Sequence, residues 1–175
     1  EALLMEYLLS VTTDKKERAY LINHFLEQFR GTLYRQTMFA EFELEANEMT
    51  RRGEGTTADA LCALYKKLNE QYFGPEMVID DEIALEWTRI PHFYYDYYVY
   101  QYATGYAAAI ALSRRILREG EPAVCDYLGF LSGGCSADPI TLLRGAGVDM
   151  ASPKPVEDAT ALFDSLIGEM EELLK

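Results

Sequence analysis

IPHFYYDYYVYQYATGYAAAIALS, residues 90–113, is the stretch from which the rest of the chain is read. Seven tyrosines fall from Tyr94 to Tyr106, Pro91 stands where a first helical turn tolerates it, and no proline follows. The spacing predicts one long helix. At about 100° per residue, Tyr95, Tyr98, Tyr102 and Tyr106 share a stripe, with His92 and Val99 at its edge. Phe93, Tyr97 and Tyr100 lie opposite. Such a helix is aromatic nearly all round and is expected to be central, enclosed by other elements. Gly105, Ala107, Ala108, Ala109 and Ala111 make its second half small enough for a neighbouring backbone to approach. Two readings of the tyrosine row stand side by side. Buried phenols satisfied within a core would contribute area, whereas so many hydroxyls facing one way suit a wet cleft beside the helix.

Composition sets the bounds around that helix. A chain of 175 residues, 49% hydrophobic and 26% charged, is long enough for a sizeable core and too apolar for disorder. Its 29 acidic against 16 basic residues leave a net charge of -13, which would repel a phosphate backbone, so nucleic acid is excluded as a partner. Cys62, Cys125 and Cys135 are odd in number with no C-x-x-C spacing, against both a disulfide framework and a zinc ribbon, and they fit a reducing compartment. No apolar run reaches membrane-spanning length, and a basic signal-peptide start is missing, so the expected location is cytoplasmic with no membrane partner.

Outward from the tyrosine row the pattern is helical. Leu4, Leu8 and Val11 share a face of the opening EALLMEYLLSV, which begins in mid-helix pattern as if more chain preceded it. Asp14 with Glu17 three residues on predicts a capping box, and Phe25, Phe29, Leu33, Met38 and Phe42 carry one helix through Gly31 to about Thr50. Glu41, Glu45 and Glu48 share a face of it. The E-x-x-H partner of helical di-metal sites is missing, so these carboxylates read as a solvated acidic face. Thr57 caps a helix buried through Leu61, Leu64, Leu68 and Tyr72, and Gly74-Pro75 ends it. A short helix through Trp87, another over about 122–131, a glycine-rich loop SGGCSADP at 132–139, a short helix over 139–144 and a last one over 156–174 complete the chain. The architecture is all-α, a single helical region over residues 1–175 with seven or eight helices.

Three segments carry a resemblance that spacing alone could not name: QFRGTLYRQTMFAEFE (28–43), YFGPEMVIDDEIALEWTRIPHFYYDYYVYQYATG (72–105) and SGGCSADPITLLRGAGVDMASPKPV (132–156). Together they resemble the C-terminal part of the oligoendopeptidase F group of thimet oligopeptidase-like zinc metallopeptidases. The resemblance implies a mostly helical enzyme that encloses a channel for oligopeptides and binds zinc through H-E-x-x-H and a later Glu. Here the chain departs from the family pattern. His24 and His92 are its only histidines, no H-E-x-x-H occurs, and Glu1 corresponds to a position just past the third ligand. The zinc ligands of the parent enzyme are therefore expected before Glu1, with none in this chain, which by itself should neither bind catalytic zinc nor hydrolyse peptides.

By the same resemblance, a His and tyrosines of the central helix face the zinc and donate hydrogen bonds to the substrate carbonyl and its oxyanion. His92 matches that role, and the stripe favours Tyr95, Tyr98 and Tyr102 beside it, with Tyr94, Tyr97 and Tyr100 as packing. Gly133 and Gly134 are candidate substrate-binding positions in a mobile flap, although a plain surface loop fits the same residues. Expected partners are oligopeptide substrates, the N-terminal part of the same protein, and other copies of the chain through its uncovered surface. The alternative function is a metal-free helical interaction module with an aromatic groove.

Overall fold

The computed structural model describes all 175 residues, Glu1–Lys175. Eight α-helices make up the chain: α1 (Ala2–Val11), α2 (Lys15–Gln28), α3 (Arg35–Arg51), α4 (Ala58–Phe73), α5 (Tyr100–Glu119), α6 (Glu121–Gly133), α7 (Pro139–Gly145) and α8 (Lys154–Leu173), with no strand. Local chemistry explains where several begin. The Asp14 side chain accepts from the backbone N–H of Lys16 and Glu17 at the start of α2, and the Thr57 hydroxyl accepts from Ala60 at the start of α4. Gly74 ends α4 with φ of 75°, a conformation open to glycine.

The helix expected through Gly31 does not keep one pitch. Between α2 and α3, Phe29–Tyr34 forms a π-helical turn. Phe25, Phe29 and Leu33 are all buried at a spacing of four, which overshoots the α-helical period of about 3.6. A π-helical turn takes up an overshoot of this kind.

The chain divides into two compact units, Gly31–Ala103 on one hand and Glu1–Arg30 with Thr104–Lys175 on the other. In the second of these, Phe29 packs against Phe25, Phe163 and Tyr106 with ring centroids 5.3, 5.4 and 5.1 Å away. A further cluster joins Ala108 and Leu112 of α5 to Ala146 and Val148. Arg18 of α2 bonds Glu169 of α8 and the Leu9 and Thr12 carbonyls at the end of α1.

Unit Gly31–Ala103 is built on Met38, Phe39 and Phe42 of α3 and Tyr65 and Leu68 of α4, closed by Ile90 and Val99. A 3-10 segment, Asp81–Arg89, follows the extended connection and packs on α4. Its Glu86 is buried and accepts hydrogen bonds from Tyr65 Oη at 2.7 Å, Arg35 Nη2 at 2.6 Å and Arg89. Three elements converge on one carboxylate there.

The single helix expected over residues 90–113 does not form. Pro91–Tyr94 is one 3-10 turn, α5 begins only at Tyr100, and between them Asp96 and Tyr97 have φ of 54° and 56°. Consecutive non-glycine residues in the left-handed region end any right-handed helix. Nor is this stretch enclosed. Tyr94, Tyr97 and Tyr100, expected as packing, are exposed, and the buried part of α5 is its small-residue half, Ala103, Ala107, Ala108 and Ile110.

Candidate active site

Two short helical turns build the candidate site. In the first, the Tyr95 N–H bonds the His92 carbonyl at 3.0 Å, which brings the His92 and Tyr95 side chains one turn apart onto a common side. In the second, N–H bonds from Gln101 to the Tyr98 carbonyl and from Tyr102 to the Val99 carbonyl start α5, and Tyr98 and Tyr102 stand four residues apart on one face. The left-handed pair Asp96–Tyr97 folds one turn against the other. Ile90, Phe93 and Val99 point into the core meanwhile, with the Phe93 ring 5.3 Å from Phe39 and 5.1 Å from Phe42. Inward and outward side chains thus divide the segment.

The result is a cluster of four rings centred on His92. Tyr98 stacks on the imidazole at 5.6 Å and 23°, while Tyr95 and Tyr102 meet it edge-on at 5.8 Å. Tyr98 also contacts Tyr95 and Tyr102 at 6.2 and 5.7 Å. Tyr102 Oη lies 3.2 Å from His92 Nε2, and the imidazole tautomer sets which of the two donates. The three phenols are 60%, 40% and 38% exposed in chain order, so none of them is buried in a dry core. Desolvation, the nearby Tyr98 and its hydrogen bond push the Tyr102 phenol above its ordinary range. A phenol with a pKa of about 10 or more keeps its proton at neutral pH and can donate it as a hydrogen bond.

Tyr106, the last residue of the expected stripe, does not join them. Its ring packs edge-on against Phe29 and its hydroxyl is buried without a partner. Burial, with the charges of Glu1 and Glu6, pushes that phenol upward. Gly133 and Gly134 end α6. A Cβ on Gly133 would come within 2.9 Å of the Leu142 side chain, and Gly134 has φ of 51°, so the turn that returns the chain towards α7 accounts for glycine at both.

The residues present do not fit a catalytic zinc. No group of three or more His, Cys, Asp or Glu side chains is placed to hold a metal. The His24 ring meets Gln28 at 3.2 Å and Glu1 at 3.9 Å, and His92 is surrounded by phenols. Elsewhere, a groove of about 700 Å³ is lined by Arg114, Arg115, Arg118 and Lys154. Each of these cations is already paired, with Glu6, Asp126, Glu119 and Asp158 respectively.

Sequence reasoning missed one residue beside the rings. Glu43 of α3 is 4% exposed, and its Oε1 accepts the backbone N–H of Tyr97 at 2.5 Å. The available signal was a charge at position 43, immediately after the buried Phe42 and off the face shared by Glu41, Glu45 and Glu48.

Comparison with known proteins agrees with this architecture. The model of the family described as Peptidase family M3 matches residues 1–162. Oligopeptidase PepF of Bacillus subtilis is 59% identical over 174 residues, 99% of this chain and 26% of that protein. The structure of oligoendopeptidase-F from Enterococcus faecium superposes with a TM-score of 0.94 at 46% identity, covering 98% of this chain and 33% of that one. A putative peptidase from Chlamydophila abortus follows, with a TM-score of 0.87, 35% identity and coverage of 97% and 29%. The chain therefore spans about a quarter to a third of the length of these relatives.

Proposed function

The chain belongs to peptidase family M3, and from that premise we propose that it is the C-terminal region of a zinc-dependent oligoendopeptidase that hydrolyses internal bonds of short peptides. In this reading His92, Tyr95, Tyr98 and Tyr102 form the side of the cleft that receives the scissile carbonyl. The observation that carries it is the ring cluster itself, three exposed phenols held against one imidazole by direct ring contacts.

Peptide hydrolysis converts a planar carbonyl into a tetrahedral species whose oxygen gains negative charge. Fixed donors aimed at that oxygen stabilise it more than they stabilise the substrate. Tyr98 and Tyr102 supply O–H donors, and Tyr102 and His92 hold each other in place through the 3.2 Å contact. Tyr95 closes the other edge of the imidazole. Gly133 and Gly134 enter the same reading as substrate-binding positions, with the Leu142 side chain packed at Gly133 and open space at Gly134. The zinc is held by residues outside Glu1–Lys175, and the chain alone is inactive. The three free thiols, Cys62, Cys125 and Cys135, support a cytoplasmic location, and no helix is long and apolar enough to cross a membrane.

Single replacements in the full-length peptidase carrying this segment test the proposal. Tyr98→Phe, Tyr102→Phe and His92→Ala should each lower kcat by about 10² to 10³ while KM, metal content and Tm stay close to those of the parent. If all these variants and Tyr95→Phe kept full kcat, the site assignment would be wrong.

A further inference from the structure

We propose that Glu43 is a positioning residue of this site: its buried carboxylate holds the Asp96–Tyr97 turn in the left-handed conformation that folds Tyr98 onto His92. The inference rests on the reading of the ring cluster given above.

The local sequence favours a different structure. Apart from Pro91 at its start, nothing in residues 90–113 breaks a helix, and in a continuous helix the Tyr97 N–H would bond the Phe93 carbonyl. Instead that N–H points across to α3 and donates to Glu43 Oε1. Tyr97 meanwhile sits at φ of 56° and Asp96 at 54°, a costly arrangement for residues with a Cβ. Something outside the segment must hold it.

Glu43 is suited to that task and to no other apparent one. The buried face of α3 around it is Met38, Phe39 and Phe42, where an apolar side chain would cost nothing. A carboxylate at 4% exposure is costly unless it is bonded. No cation pairs with it. The bond it does make lies just ahead of the first turn of α5, where negative charge is favourable against the helix dipole. Burial first, and the nearby Asp96 charge as well, raise its pKa, against the bond from Tyr97, which lowers it. Glu43 lies in the same unit as all four rings, and its backbone is held in turn by Asn47, whose side-chain N–H donates to the Glu43 carbonyl at 2.7 Å.

If the bond is lost, the turn can relax towards helix. That rotates Tyr98 and Tyr102 away from His92 while leaving the core contacts of Phe93 and Val99 available. The site would then be mispositioned, not missing its groups.

The test uses the full-length peptidase carrying this segment with three variants, Glu43→Gln, Glu43→Met and Glu43→Met with Tyr97→Gly. Gln keeps an oxygen acceptor and Met keeps volume without one. Glu43→Met should lower kcat by about 10², the scale of a misplaced catalytic group, with KM little changed. Glu43→Gln should retain most of kcat. The added Tyr97→Gly should restore much of the loss, because glycine enters the left-handed region without the bond, whereas a purely stabilising role for Glu43 would not be rescued by a more flexible chain. Crystal structures of the same variants read the geometry directly. In Glu43→Met the Tyr97 φ should turn negative and the His92–Tyr98 stack should open.

A Met variant with the turn and stack intact would overturn the proposal, as would a Gln variant as impaired as Met. If the turn opened in Glu43→Met yet kcat held, positioning for catalysis would be refuted. Loss of effect in His92→Ala and Tyr98→Phe as well would place the failure in the function proposed for the rings, while the crystal structures still decide what Glu43 holds.

Discussion

Glu86 and Glu43 are both buried carboxylates, and their surroundings shift them in opposite directions. Burial pushes the Glu86 carboxyl up, but hydrogen bonds from Tyr65 and Arg35 and the charges of Arg35 and Arg89 outweigh it and hold the group below its ordinary range. Glu43 has no such cations and is raised. The signs follow from proton binding. A carboxyl lowered by folding stabilises the fold above the ordinary carboxylate range and loses that contribution as pH falls through its folded pKa, whereas a raised one contributes in acid and loses it as pH rises. Denaturant unfolding from pH 7 down to pH 3 should therefore show an acid loss of stability that Glu86→Gln flattens and Glu43→Gln does not. An unchanged acid limb in Glu86→Gln would show that the three bonds to Glu86 do not form in solution. Tyr65 is fully buried with its hydroxyl on Glu86, so Tyr65→Phe should cost about 2 kcal/mol at pH 7, the scale of a hydrogen bond to a charged group. A change below a few tenths of that would place the carboxylate's stabilisation on Arg35 and Arg89 alone.

Arg115 shows how single side chains fix whole elements. From α5 it donates to Glu119 at 2.9 Å, to Asp126 of α6 at 2.7 Å and to the Ala146 carbonyl after α7 at 2.6 Å. Gly147 lies directly against it with φ of 80°, and a Cβ there would fall 2.3 Å from Arg115 Nη1. Gly147→Ala combines backbone strain with displacement of that guanidinium, and should destabilise the chain by about 2 kcal/mol. Gly129, in mid-α6 with open space around its Cβ position, is the matched control, where alanine should be neutral to stabilising. Equal effects at the two positions in thermal unfolding would remove Arg115 from the explanation.

At the scale of the molecule, Tyr94, Tyr95, Tyr97, Tyr98, Tyr100 and Tyr102 are exposed together in one unit, and Leu3, Leu4, Tyr7 and Val11 of α1 in the other. Apolar patches beyond a few hundred Å² are usually covered by partners, so the 175-residue chain should self-associate and bind hydrophobic dye. A monodisperse monomer at high concentration in sedimentation, without dye binding, would refute this. The sequence by itself determined the helical class and most helix boundaries, because a three-four apolar repeat and caps such as Asp14 and Thr57 act within one turn of chain. It also picked out His92, Tyr95, Tyr98 and Tyr102 as neighbours, through a helix that does not exist. His92–Tyr95 and Tyr98–Tyr102 are each one helical turn apart, and that spacing survives the break between them. Only tertiary structure decided the break itself, the burial of the Tyr106 hydroxyl and the exposure of the first-half tyrosines. The acceptor that holds the Asp96–Tyr97 turn is 54 residues away on another helix, and a periodicity read along one segment contains no record of a hydrogen bond made across to a second.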